Sequence, residues 1–327
     1  MTTITSRNTR LAVLALALVG CALKKDNEPQ EPREVNKAEV HTRQLLYCGL
    51  SESAYKSNGW VHSKCDGLLF TSLHALACPY VDITPFQKEL GLWKRSPSFD
   101  CYAKGESKSG ISRDMILGVI FYSWQYNRLD FMEELIAYGE VNDWDMCDGE
   151  YIDEATRISR CVMSPTIKAT IYEVASKLGY NCDNTCKVAR AVPQVWNPHE
   201  TDFQAHLLNV HILIRGLVQG AINGNQLAQL NWQADRVPEN ELFLANLGIW
   251  KDGDFSKSAI LNELYFPSTR LPKSSERCTD YLWQRDPGKD WEPCPSENLT
   301  HAGTDFLLVS AIILEELRGQ ANGPIFD

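Results

Sequence analysis

The 327-residue chain carries 42 acidic and 32 basic side chains, a net charge of −10. An excess of acid argues against nucleic acid, whose binding rests on lysine and arginine neutralising phosphates, and leaves room for neutral or cationic ligands. A hydrophobic fraction of 44% excludes disorder of the chain as a whole, and 11 cysteines are many for a reducing cytoplasm.

The first element is an N-terminal segment. Arg7 and Arg10 make a basic start, and Leu11 to Val19 is an apolar run about half as long as a membrane span. The run ends in Leu18-Val19-Gly20-Cys21. In this order the features resemble the lipobox of bacterial lipoproteins. The resemblance implies cleavage before Cys21, acylation of Cys21, and a lipid bilayer as partner through that anchor. Ala22 follows the cysteine in place of an aspartate, so the resemblance leans toward the outer membrane within the bacterial cell envelope. Without the first 20 residues, which hold two arginines and no acid, 30 basic side chains face 42 acidic ones, a net charge of −12. Residues 22–36 are charged, hold two prolines and no aromatic residue, and are expected to be a solvated tether. The expected organisation is therefore a signal peptide over 1–20, a lipidated tether over 21–36 and a single domain over 37–327.

Subtracting Cys21 leaves ten cysteines, an even number, so up to five disulfides are expected in an exported protein. Ten cysteines allow roughly nine hundred pairings. The closures shortest in sequence are 48–65, 78–101, 147–161, 182–186 and 278–294. Zinc is disfavoured, because C-x2-C pairs are absent and Cys182-x3-Cys186 stands alone. No metal and no cofactor is expected.

Beyond the tether, hydrophobic spacing predicts helices over Ala38–Tyr55, Asp66–Ala77, Ser112–Asn127 and Leu129–Tyr138. The next runs from Pro165, which suits a first turn, to Leu178, before the stop signal Gly179. Further helices are expected over Thr201–Ile222, Leu227–Ala234, Glu239–Leu247, Phe255–Leu264 and Asp305–Leu317. Tyr80–Ile83 is the best strand candidate. No βαβ alternation is present, so an all-α fold is expected.

Four of the apolar helices open on an aspartate. They read Asp66-Gly-Leu-Leu-Phe, Asp114-Met-Ile-Leu-Gly, Asp202-Phe-Gln-Ala-His and Asp305-Phe-Leu-Leu-Val. An acid in a first turn complements the helix dipole and its free N–H groups, so each alone has a structural explanation. Together with the alternation of wholly apolar and amphipathic helices, the set resembles the (α/α) toroid of many glycoside hydrolases, polysaccharide lyases and related proteins. That resemblance implies parallel inner helices whose N-terminal ends, with these four aspartates, surround one cavity. It implies no particular reaction.

Within that picture Asp66 and Asp114 are the catalytic candidates, because glycoside cleavage needs an acid and a second carboxylate. The glycine- and serine-rich stretch Gly105–Arg113 leads into Asp114, and Arg113 could grip a substrate carboxylate with two parallel bonds. Asp202, His206 and Asn209 share a helical face at i, i+4, i+7, and His211 and Arg215 form a second i, i+4 pair. His301 and Asp305 repeat the i, i+4 spacing at the last helix start. Nine tryptophans, among them Trp93 in Gly91-Leu-Trp93-Lys-Arg95, suit stacking on sugar rings as well as filling a core. Arg113, Asp202, His206, His301, Asp305 and Trp93 are thus the substrate-binding candidates. The acidic cluster Asp143, Asp145, Asp148, Glu150, Asp153 and Glu154 hints at calcium but fails the EF-hand spacing. The expected function is glycan binding or cleavage at the envelope, and the alternative is a non-catalytic scaffold or recognition lipoprotein.

Overall fold

In a computed structural model the chain divides into two units, Met1–Glu34 and Val35–Asp327. The structure describes residues 34–58, 67–98, 111–147, 161–182, 202–265 and 304–320. Cys21, the signal peptide and most of the tether lie outside the described residues, as do Asp66 and His301. Among the described residues no helix is long and apolar enough to cross a membrane.

The second unit is mostly helical. Its helices are α1 (Lys37–Asn58), α2 (Gly67–Ala75), α3 (Arg113–Tyr126), α4 (Leu129–Val141) and α5 (Pro165–Leu178), followed by α6 (Asp202–Gln219), α7 (Gly224–Arg236), α8 (Glu241–Lys251), α9 (Ser256–Tyr265) and α10 (Thr304–Ile313). Local chemistry sets several ends. Ser164 accepts from Ile167 N–H with Pro165 at the first turn, and Gly179 closes α5 with φ 113°. Asn223 and Gln226 form a reciprocal capping box at α7, and Asn240 accepts from Phe243 N–H at α8. The strand expected at Tyr80–Ile83 is not formed. Val81 N–H closes a turn on Cys78 O instead, and Tyr80 and Asp82 are tied to α1 by side-chain bonds. The short hairpin pairs Gln87–Glu89 (β1) with Leu92–Trp93 (β2). Gly91 turns it with φ 80°, and an added Cβ there would meet Glu134 O.

Every residue of α2 and of α10 is buried, whereas α7 is amphipathic. Neighbouring buried helices run parallel. α2 and α3 touch at both ends, through Arg95 at their starts and the Tyr126 hydroxyl on Ala75 O at their ends. Between those ends Gly118 lets the helices close, since a methyl there would lie 2.9 Å from Leu69 Cα. Thr170 and Glu173 of α5 meet His211 and Arg215 of α6 in ascending order. Asn209 and Gly216 of α6 meet Asn246 and Trp250 of α8 likewise. The amphipathic helices run the other way. Lys37 and Gln44 of α1 reach Glu315 and Glu316 beyond α10, while Tyr47 stacks on Phe306 near its start at 4.4 Å. In α4, Glu140 accepts from Tyr172 while Leu129 lies near Gly179. Gln233 near the end of α7 donates to Ala205 O near the start of α6.

Cys48–Cys78 and Cys147–Cys161 are disulfides, each with Cα atoms 5.5 Å apart. The second is the expected closure. The first overturns both 48–65 and 78–101. Packing of α1 across the end of α2 brings Cys48 beside Cys78, so the tertiary neighbour prevailed over the nearest cysteine in sequence. Cys182 is also disulfide-bonded, and its expected partner Cys186 lies outside the described residues.

Candidate functional site

Parallel packing gathers helix starts. At α2 the Leu68 N–H donates to Arg95 O (3.1 Å), and the Arg95 guanidinium donates to Ser112 Oγ at the cap of α3. A single buried arginine thus pins two helix starts together. Two positions into α3, Asp114 is 6% exposed and forms no hydrogen bond or ion pair among the described residues. It lies in the first turn of α3, at the positive end of that helix's dipole.

His206 in the second turn of α6 and Asp305 in the first turn of α10 come together, with Nε2 3.4 Å from Oδ1 and both side chains wholly buried. The ring of Phe70, from the first turn of α2, lies 6.3 Å from that of His206. Three helix starts that are far apart in sequence therefore converge on one histidine. Glu241 adds a further buried acid in the first turn of α8. It was not among the sequence candidates because they followed aspartate. The signal was present as an acid opening an apolar helix.

The other polar groups of α6 bridge helices. Asn209 donates to Gln233 Oε1 (2.8 Å), Asn246 donates to Asn209 Oδ1 (3.1 Å), and Trp250 Nε1 donates to Asn246 Oδ1 (3.0 Å). This buried amide chain joins α6, α7 and α8 with its partners supplied. Toward α5, Arg215 Nε donates to Glu173 Oε2 (3.0 Å), and Gln219 donates to its other oxygen (2.6 Å). His211 Nε2 lies 2.6 Å from Thr170 Oγ1. The Thr170 hydroxyl already donates to Thr166 O (2.9 Å), so the histidine is the donor in that contact. Burial first, and the Arg215 charge second, push the His211 pKa down to about 3, so the ring is neutral at neutral pH.

Of the sequence candidates, His206 and Asp305 are brought into contact and Asp114 is buried at a neighbouring helix start. Asp202 opens α6, but its side chain lies outside the described residues. Arg113 is exposed and its Nε donates to Val162 O (3.2 Å), so it grips backbone rather than Asp114. Trp93 is corrected: it is 1% exposed and meets Phe131 edge-on at 5.0 Å, a core filler that no sugar ring can reach. The calcium hint in the acidic cluster is weakened at its described end. Asp145, Cys147 and Cys161 lie within 4.8 Å of one another, but the sulfurs are bonded to each other and Asp145 Oδ1 accepts from Cys147 N–H (3.2 Å). Comparison of the chain with family models, curated proteins and solved structures found no match in any of the three.

Proposed function

We propose that the chain is a lipid-anchored protein of the bacterial envelope, built as an (α/α) toroid whose N-terminal pole binds or cleaves a glycan. The toroid reading is supported by the order of neighbours. α2, α3, α5, α6, α8 and α10 each contact the next, and α10 returns to α2. Outside them, α4 packs on α3 and α5, α7 on α6 and α8, and α9 on α8 and α10. Asp114 carries the functional reading. A buried carboxylate with no partner among the described residues costs stability that a merely structural residue has no reason to incur. In glycan cleavage it would act as acid or base opposite a second carboxylate, for which Asp66 is the candidate. Arg95 would fix the helix starts that carry both acids.

The test is a glycan panel screened with the full chain and with Asp114→Asn and Asp66→Asn. Loss of turnover or binding in folded variants is expected, and unchanged behaviour in both overturns the assignment. The anchor is tested separately: Cys21→Ala should move the chain from the membrane pellet to the soluble fraction. One observation favours the second reading, a recognition or scaffold lipoprotein without catalysis. His206 and Asp305 have no exposed surface, which suits a contact holding α6 to α10. Glycan binding that survives without any turnover would select it.

A further inference from the structure

A second cluster of chemistry-bearing groups lies at the opposite ends of α2 and α3. Asp82 follows the Cys48–Cys78 disulfide and is exposed. Tyr55 of α1 bonds to its backbone twice, donating to Asp82 O (2.7 Å) and accepting from Asp82 N–H (2.9 Å). Tyr122 of α3 donates to Asp82 Oδ1 (3.5 Å). Each of these tyrosines belongs to an aromatic pair. Tyr55 and Tyr80 lie 6.0 Å apart at 57°, and Tyr122 and Tyr126 lie 4.7 Å apart at 42°. Asp82 therefore meets one ring of each pair, Tyr55 through its backbone and Tyr122 through its carboxylate.

The polar balance of this cluster is uneven. Asp82 Oδ1 also accepts the N–H and hydroxyl of Thr84 (3.0 and 2.8 Å), while Oδ2 has no hydrogen-bond partner among the described residues. The phenol hydroxyls are already used: Tyr80 donates to Cys48 O (2.7 Å) and Tyr126 to Ala75 O. Burial pushes their pKa values up, to about 12 for Tyr126, so the rings stay neutral. The neighbouring cations are committed elsewhere. Arg128 grips Asp130 with three bonds (2.9, 3.1 and 2.6 Å) and lies 3.5 Å over the Phe131 ring, and Lys56 pairs with Glu52 at 2.6 Å. Arg128 also feels the Asp82 charge, but among the described residues it forms no ion pair with that carboxylate.

We propose that Asp82 with Tyr55, Tyr80, Tyr122 and Tyr126 forms a binding site for an organic cation of the quaternary or methylated ammonium class. Such a group offers methyls and charge but no hydrogen bond, so it asks of its site aromatic surface and one carboxylate. A sugar asks for several directed donors and acceptors, whereas three of these phenols donate to backbone carbonyls and Tyr122 to Asp82 itself. The site is independent of the glycan reading, and its test does not involve the N-terminal pole.

The experiment is calorimetric titration of the full chain with choline and with tetramethylammonium, against 3,3-dimethyl-1-butanol, the neutral isostere of choline. Binding of at least one cation is expected, with the isostere roughly tenfold weaker or more. Asp82→Asn keeps the shape and the acceptor for Thr84, and should weaken the cation roughly tenfold. Absence of heat from both cations, equal binding of the isostere, or wild-type affinity in a folded Asp82→Asn variant would overturn the proposal.

Discussion

The two ends of the buried helices are chemically opposite. At the starts of α3, α8 and α10 the first turns hold Asp114, Glu241 and Asp305. At the other end the groups are donors: the Tyr126 hydroxyl to Ala75 O, Trp124 Nε1 to Arg318 O (2.8 Å), and Gln125 Nε2 to Glu316 O (3.0 Å). A helix leaves N–H groups open at its start and carbonyls open at its end, with a dipole of matching sign. Parallel helices therefore collect acids at one pole and donors at the other without any function being involved. What separates the poles is partnership. The donors at the C-terminal end each reach a carbonyl, whereas Asp114 reaches no partner among the described residues.

The sharpest way to break this contrast is at the partnered charges. Arg215 and Glu173 are nearly buried, with side chains 7% and 12% exposed. Arg215→Met leaves Glu173 with Gln219 alone and should cost about 3–5 kcal/mol in urea unfolding. Replacing Glu173 by leucine as well should recover most of that loss. If the single substitution is harmless, the partnered charges are not structural and the contrast fails.

His211 tests the same seam through pH. Its folded pKa, near 3, lies below the ordinary histidine value of 6.5. Between those values the unfolded chain binds the extra proton. The stabilisation is therefore present above pH 6.5 and is lost as pH falls toward 3, at up to about 1.4 kcal/mol per pH unit. His211→Gln keeps a donor for Thr170 and should flatten the acid limb relative to wild type. Parallel stability curves for the two proteins between about pH 4 and pH 7 would refute a buried neutral histidine.

Much of the helix pattern was legible in the sequence because its signals are local. Pro165 and Gly179 bracket α5 at the predicted residues, and Leu129 opens α4 as the apolar spacing requires. The polar stripe of α6 was legible as a stripe but not as a set of bridges. Asn209 and His211 face α7 and α5, which only tertiary packing could decide. For the same reason the 48–78 disulfide escaped the nearest-neighbour rule. Trp93 was misplaced because a tryptophan beside an arginine reads alike on a surface and in a core. Its burial comes from Phe131 of α4, which the sequence alone does not bring near β2.

Gly118 probes whether the helix starts are held in place by packing. An added Cβ would lie 2.9 Å from both Leu69 Cα and Ser72 Oγ. The first is backbone and cannot swing aside. Gly118→Ala should cost about 1–3 kcal/mol by forcing α2 from α3. If Arg95 and Tyr126 clamp the two ends as the hydrogen bonds indicate, a shift at the middle should also weaken any binding that depends on Asp114. A stable variant with unchanged binding would detach the pole from the α2–α3 contact.

The smallest expected effect is the most informative about the pole. Asp114→Asn changes one charge at almost constant shape. If the carboxylate serves only the helix dipole, its loss should destabilise the protein by about 0.3–1 kcal/mol. If it is instead held in a buried place for chemistry, removing the charge removes a desolvation cost as well. Stability should then be unchanged or slightly higher while binding or turnover falls, the exchange of stability for activity seen at functional groups. Urea midpoints and glycan binding measured on the same preparation distinguish the two signs. Destabilisation with intact binding would return Asp114 to the ordinary chemistry of helix starts and leave the two poles different only in polarity.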